Sequence, residues 1–412
     1  MTGSCPALDF RRFMVSRALG SLCDQFLMFA VPLAILQETR SARLAAIAFV
    51  IEWIPRVVGF PVVGALIDGL NLRRTFILLD LGRVVVLLLA AAALHAAGTF
   101  ATLSALMACM SIGYVTNFLG IEAVIPNNLE PERFPAAHST VQAVEQGSQV
   151  LGPALAALLY QRDGITLVLL VCAGVFALSA LNTSTLSFRD SSHANTASIR
   201  AAVATNLLAV RTLLEKPSVF YLSGMTWVVN LVFGTTLSVA AAVVVQYFSR
   251  SSTTFGLMQS GAAALAIAVF TVVPSLTRRL GVAVVGRFAL IAMIGAGFVL
   301  GLAPGLWAFV LGYCVLNAFD GVFNVYVRTM RSTILPKEHL GKVMGIIGAI
   351  NLLSIPLGGL VASALSTTLP LPRVILVSTV LAVVLCFALI LVGKLKLGYR
   401  DGFPVVPTGA NP

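Results

Sequence analysis

The chain has 412 residues, of which 58% are hydrophobic and only 10% charged, and its mean hydropathy is +0.96. Ordinary soluble domains are about 25% charged, so a soluble fold is excluded; apolar stretches of about 20 residues recur instead, each able to cross a ~30 Å hydrocarbon core as a helix. The formal net charge of +11 does not point to nucleic acid, because the basic residues stand in short segments between apolar runs, where membrane topology accounts for them.

The N-terminal segment MTGSCPALDFRRF is polar, and the apolar run after it is too long and too polar for a cleaved signal. It reads as a first membrane span. Breaks at polar, charged and Gly/Pro-containing clusters predict twelve helices, at 13–37, 44–69, 75–95, 99–124, 136–160, 164–187, 217–247, 253–276, 281–303, 306–330, 339–366 and 371–393. In the first, SLCDQFLMFAVPLAIL sets Asp24 and Gln25 among apolar neighbours with no basic residue beside them. Burying a carboxylate there is expensive, which marks Asp24 as functional; polar groups and water, rather than a fixed basic residue, are its expected partners.

Glu52 and Arg56 are four apart in the second span, and Asp80 and Arg83 three apart in the third. Each pair is expected to neutralise itself on one helix face. Between those spans stands GALIDGLNLRRTF, with Gly64, Asp68, Arg73 and Arg74. Gly64 permits close helix approach, Asp68 can accept hydrogen bonds from arginines or helix N-termini, and Asn71 tolerates a left-handed turn. The fourth span offers Tyr114, Asn117 and Glu122; the fifth holds Glu145, an expected partner of loop arginines, and Ser148, Gly152 and Pro153, which permit close packing and a bend.

After the sixth span, SFRDSSHANTASIRAAVATN is the longest polar segment and reads as a linker. The seventh span carries Trp227, Asn230 and Thr235, and Arg278 and Arg279 follow the eighth. In the tenth, Asn317, Asp320, Asn324 and Arg328 recur at spacings of three and four, a polar stripe on one helix face. Lys and Arg concentrate in alternate segments, which places both termini in the cytoplasm. A shift of 206 residues aligns Arg73 with Arg279, Gly152 with Gly358 and Asp24 with Asn230. The expected organisation is an all-α membrane protein of two six-helix pseudo-repeats: an N-terminal bundle over 1–187, a cytoplasmic linker over 188–216, a C-terminal bundle over 217–394 and a cytoplasmic tail over 395–412.

GALIDGLNLRRTF resembles the loop motif between helices 2 and 3 of the major facilitator superfamily, with Gly69 in place of a basic residue and Asn71 in place of a turn glycine. The arginine spacing, SRALGSLCDQFLMFAVPLAIL and IPNNLEPERFPAAHSTVQAVEQGSQVLGPALAALL are similar to the branch that includes macrolide and enterobactin-type siderophore exporters. Ser148, Gly152 and Pro153 partly match the glycine–proline antiporter motif of drug exporters in that superfamily. The resemblance implies the major facilitator fold, a gating role for Gly64, Asp68, Arg73, Arg74, Arg278 and Arg279, and a cavity lined by helices 1, 4, 7 and 10. Asp24, Gln25, Tyr114, Asn117, Trp227, Asn230, Asn317, Asp320 and Asn324 would then serve substrate or protons.

The function expected from this is secondary active transport: a proton-coupled exporter, an antiporter by alternating access, for a drug-like amphiphile or a siderophore. A ferroportin-like divalent metal exporter and a lysophospholipid flippase are the alternatives. No GxxxxGK[ST] loop is present, the six cysteines form no ligand spacing and the four histidines fall in loops or at span ends. No cofactor, metal site or enzymatic constellation is expected. The partners are a small molecule, protons and membrane lipids, and the setting is a monomer in a bacterial inner membrane.

Overall fold

The fold comes from a computed structural model, which describes residues 7–67, 70–129, 134–186, 217–334 and 348–397. Among these residues eleven helical runs are long and apolar enough to cross a membrane. One run, Thr140–Ser184, has 45 residues, roughly 68 Å if straight and twice the depth of a hydrocarbon core. It breaks at Asp163 (φ −140°, ψ 27°) and Gly164 (φ 67°, ψ −156°); Gly164 takes the positive φ that favours glycine. Both arms meet the first helix at one level: Gly152 lies against Gln25, Phe176 against Gly20, and Cys172 Sγ faces the Cys23 carbonyl. A straight helix would hold residues 152 and 172 about 30 Å apart. The chain therefore reverses at the break, and twelve membrane helices result.

They are α1 (Ala7–Thr39), α2 (Ala42–Leu66), α3 (Leu72–Ala97), α4 (Thr99–Asn128), α5 (residues 134–162), α6 (residues 165–184), α7 (Pro217–Ala242), α8 (Ser252–Leu280), α9 (Val282–Gly301), α10 (Leu306–Ile334), α11 (Ser354–Leu365) and α12 (Leu371–Leu397). A π-turn over Val243–Tyr247 extends α7, and residues 348–352 add a helical stretch ahead of α11. The chain divides into two compact units, Met1–Ala202 with Ser251–Ser260, and Val203–Arg250 with Gly261–Pro412. The expected linker over 188–216 lies outside the described residues.

In the first unit, the starts of α1, α3 and α5 meet the ends of α2, α4 and α6 in one apolar cluster. Phe13, Leu72, Phe76, Ile121, Val124, Ile125 and Val141 are among its members. That arrangement fixes an up-and-down order in which α1 and α3 run parallel. Asn71 caps α3 by accepting from the Arg74 backbone N–H at 2.8 Å. It does so with φ −70° and ψ 101°, an extended conformation, so its tolerance of a left-handed turn is not called on. Leu78, Leu178, Ile291 and Phe387 stay largely uncovered, as lipid-facing positions do when the surrounding solvent is hydrocarbon.

The pseudo-repeat is visible in packing. A Cβ on Gly152 would stand 2.4 Å from Gln25 Cβ, and one on Gly358 would stand 2.6 Å from the Leu231 carbonyl oxygen. Gln25 and Leu231, like Gly152 and Gly358, are related by the same shift of 206 residues. Each unit thus brings its first and fifth helices together at the same glycine. In the second unit the approach is tight from both sides, since a Cβ on Gly234 would meet the Ile355 carbonyl at 2.3 Å.

Candidate functional site

Six charged side chains are buried among the described residues: Arg17, Asp24, Glu52, Arg56, Asp80 and Arg83. All belong to α1, α2 and α3, and their signs cancel. Arg17 and Asp24 are seven residues apart and so share one face of α1; Asp80 and Arg83, three apart, share one face of α3. Because α1 and α3 run parallel, the order plus–minus on α1 meets the order minus–plus on α3. The resulting pairs join the two helices. Arg17 Nη2 donates to Asp80 Oδ2 at 2.6 Å, and Arg83 Nη2 lies 3.6 Å from Asp24 Oδ2. This corrects the expectation that Asp80 and Arg83 neutralise one another, and that Asp24 has only polar groups and water for company. Pairing within α3 would have left Arg17 and Asp24 as uncompensated buried charges, which cost several kcal/mol each.

The two pairs differ in quality. Arg17 also donates from Nη1 to Asn117 Oδ1 at 2.9 Å and from Nη2 to Ser179 Oγ at 2.7 Å, while Ser179 Oγ–H donates to Asp80 Oδ2 at 2.6 Å. Its guanidinium lies 4.8 Å from the centre of the Phe76 ring, a cation–π contact. Asp24 receives no hydrogen bond from any described residue, and Arg83 reaches it only at ion-pair distance. Arg83 is packed by its neighbours and makes no hydrogen bond to a described residue. Phe176 lies 4.8 Å beneath its guanidinium, and Gly113 of α4 stands so close that a Cβ there would be 2.6 Å from Nε. Glu52 and Arg56 do pair within α2, at 2.6 Å, with Arg56 between the rings of Trp53 and Tyr114.

A cavity of about 50 Å³ opens beside this network, room for a few water molecules. Asp24, Gln25, Tyr114 and Asn117, four of the sequence-selected residues, line it together with Arg17, Ser21, Phe118, Glu145 and Gln149. Glu145 therefore lines the cavity. Ser148 and Gly152 are buried in α5, with Gly152 against Gln25, so this motif supports the cavity wall by close packing. The residues missed from sequence are Arg17, Arg83 and Gly113. The signal available for the first two was arithmetic, since Arg17, Arg56 and Arg83 stand with Asp24, Glu52 and Asp80 in the interior of the first three spans and demand mutual neutralisation.

The polar residues of the second unit fall in two places. Asn230 is buried on α7 and donates from Nδ2 to the Asn351 carbonyl at 3.1 Å, while Trp227 is half-buried on the same helix. On α10, Asn324 Nδ2 donates to Asp320 Oδ2 at 3.1 Å and Asn317 Nδ2 to the Tyr313 carbonyl at 2.8 Å. The Arg328 side chain is outside the described residues. Of the expected gating residues, Arg73 donates from Nη2 to the Ser184 carbonyl at the end of α6, and Arg74 is exposed. Gly64 faces Leu119 at ordinary contact distance. Arg278 and Arg279 are exposed in the last turn of α8, and Asp68 lies outside the described residues. Among the described residues no three His, Cys, Asp or Glu side chains gather as metal ligands.

The sequence profile of the Major Facilitator Superfamily matches residues 13–291 and, in a second placement, 222–402. The chain belongs to that superfamily. Solved structures of the superfamily's fold agree. The nucleoside transporter NupG superposes with a TM-score of 0.76 at 16% identity, covering 94% of this chain and 100% of that one. A bacterial homologue of the iron transporter ferroportin, in its inward-facing state, gives 0.70 at 18% identity over 93% and 98%. A D-xylose–proton symporter gives 0.73 at 12% over 97% and 99%. These identities carry the fold alone. No curated protein sequence matches the chain. As a member of this superfamily the protein is a multi-pass membrane transporter, not an enzyme, and superfamily members take small molecules as substrates.

Proposed function

We propose that this transporter is a proton-coupled exporter of a small organic molecule, drug-like or siderophore-like, working by alternating access as a monomer in a bacterial inner membrane. The observation that carries the reading is Asp24. It is a carboxylate in a largely apolar bundle, turned into a polar cavity, and held by one loose ion pair. An intramembrane carboxylate in that position can bind either a proton or part of a substrate, and exchange between them couples the two fluxes. Gln25, Tyr114 and Asn117 supply the neutral polar contacts around it. In the second unit Asp320, with Asn324, is the second carboxylate assigned to protons or substrate, and Trp227, Asn230 and Asn317 extend the polar set. Arg73 and its exposed neighbour Arg74, with Asp68, Gly64, Arg278 and Arg279, are assigned to gating.

The test is uptake by inverted proteoliposomes carrying an imposed proton gradient, offered ethidium, a catechol siderophore, lysophosphatidylcholine or Fe²⁺ in turn. The expected result is gradient-driven movement of one of the first two, lost in Asp24→Asn. Accumulation that survives both Asp24→Asn and collapse of the gradient overturns the reading; movement of Fe²⁺ or the lysolipid alone selects one of the other two functions.

A further inference from the structure

The Asp24–Arg83 pair is the loosest of the three buried ion pairs among the described residues of the first unit, at 3.6 Å against 2.6 Å for the other two. Arg83 has Nε and Nη2 buried with no hydrogen-bond partner. One turn back on the same face of α3, Asp80 spends only Oδ2 on Arg17 and Ser179, and its Oδ1 is buried without a partner. An unmet donor and an unmet acceptor thus lie at i and i+3, close enough to bond without moving a helix. Leaving both unmet in a low-dielectric interior is costly. Arg83 therefore has two carboxylates within its range, and only one of them, Asp24, lines the cavity.

We propose that Arg83 is a tethered counter-ion with two stations, Asp24 and the free oxygen of Asp80, and that a cationic group entering the cavity takes its place on Asp24. The inference rests on the reading of Asp24 as the exchange carboxylate and names the substrate chemistry of that site: a protonated amine or similar organic cation. Three features favour a cation. Asp24 lacks any hydrogen-bond donor among the described residues, so a donor is what the site wants. Arg17, the one cation on the wall among the described residues, is neutralised by Asp80 at 2.6 Å. Tyr114 and Phe118 are part of the wall, and an aromatic ring can accept a cationic head, as Tyr114 does for Arg56 at 4.7 Å. The charges facing Asp24 from neighbouring helices are Arg83 and Asp80 on α3, Arg56 and Glu52 on α2 and Glu145 on α5, with Arg17 on its own helix. Of the arginines, Arg17 and Arg56 are each fixed at 2.6 Å to another carboxylate, which leaves Arg83 as the one able to yield. When it yields, its charge is not stranded, because Asp80 Oδ1 receives it.

The probe is phenethylamine, whose ammonium head suits the cavity, with 2-phenylethanol as neutral control, measured by equilibrium dialysis on the purified full chain. Phenethylamine should bind, the alcohol should not, and Asp24→Asn should abolish binding. A competitor resident on Asp24 lowers apparent affinity by the fraction of time it is there, so Arg83→Gln should tighten binding by about tenfold if that residence is about 90%. Should Arg83→Gln fail to fold, Arg83→Lys, a more weakly held point charge, should tighten binding by a smaller factor. Infrared difference spectra supply a readout that a purely structural arginine would not move. Adding phenethylamine should perturb two carboxylate bands in the wild type, neither in Asp24→Asn, which does not bind it, and a single band in Asp80→Asn and in Arg83→Gln. Unchanged or weaker binding in both Arg83 variants, a silent Asp80 band, or no wild-type binding overturns the proposal. If gradient-driven transport still depends on Asp24, only the tether and the cation class have failed, and the exchange reading stands.

Discussion

Glycine 152 gives the sharpest quantitative test of the packing. In Gly152→Ala the new methyl would sit 2.4 Å from Gln25 Cβ and 3.6 Å from its Cα. Carbon atoms prefer about 3.5–4.0 Å, so α1 and α5 must part by about 1 Å or distort. Overpacking of this kind costs about 1–3 kcal/mol, against which alanine gains about 1 kcal/mol over glycine in helix propensity. Gly147→Ala isolates the packing cost. Gly147 lies on the same helix with nothing within 4 Å of its virtual Cβ, so it has the propensity gain without the clash. The two variants should differ by about 1–3 kcal/mol, which at about 2–4 °C per kcal/mol for units of this size is roughly 2–12 °C in apparent Tm. Gly358→Ala should fall further below its own control, Gly261→Ala, because its obstacles are the Thr235 nitrogen at 2.5 Å and the Leu231 oxygen at 2.6 Å. Backbone atoms cannot rotate aside. A thiol-reactive fluorogenic dye reads the transition, since Cys23, Cys172 and Cys386 are buried until the bundle opens; a fixed scan rate keeps irreversible unfolding comparable. If Gly152→Ala melts with Gly147→Ala, the helices do not meet there and the packing equivalence of the two units fails with it.

The same assay reaches two further features. Asn71→Ala removes the acceptor of the Arg74 N–H and should cost about 1 kcal/mol, whereas Asn71→Asp should cost little; equal losses would show that the residue acts otherwise than as a cap. Glu52→Gln leaves Arg56 buried without its counter-charge and should cost about 3–5 kcal/mol. The double variant Glu52→Gln/Arg56→Met should cost clearly less than the sum of the single losses, and strict additivity would mean that the 2.6 Å pair is not an energetic unit.

Span number and order were legible because hydrocarbon thickness and polar breaks dictate them. The α5–α6 reversal was announced by Arg162–Asp163–Gly164, a polar pair followed by the residue type that takes φ 67°. Asp24, Tyr114 and Asn117 line one cavity with residues of α5; the family resemblance had set them in a cavity shared with helices 7 and 10, and spacing alone joined none of them. What spacing failed to give was partnership. For Glu52 and Arg56 the i,i+4 rule held; for Asp80 and Arg83 the i,i+3 rule named the wrong partner, although both pairs look alike in sequence.

The difference lies in what faces each helix. Arg56 meets the ring of Tyr114 on α4, which accepts a cation without supplying a charge, and Glu52 on its own helix reaches it at 2.6 Å, ahead of the more distant Asp24. Asp80 and Arg83 face α1, where Arg17 and Asp24 stand in complementary order. Four buried charges on two parallel helices are neutralised only by pairing across, since a pair within α3 satisfies two and strands two. A local rule therefore holds for a buried charge whose partner on its own helix is met at close range, as for Glu52 and Arg56 at 2.6 Å, and it fails where a facing helix carries charges in complementary order. The stretch of α1 from Arg17 to Asp24 holds both ends of that pattern, and a chain in which Arg17 and Asp80 are exchanged, Arg17→Asp with Asp80→Arg, should fold where each single substitution does not.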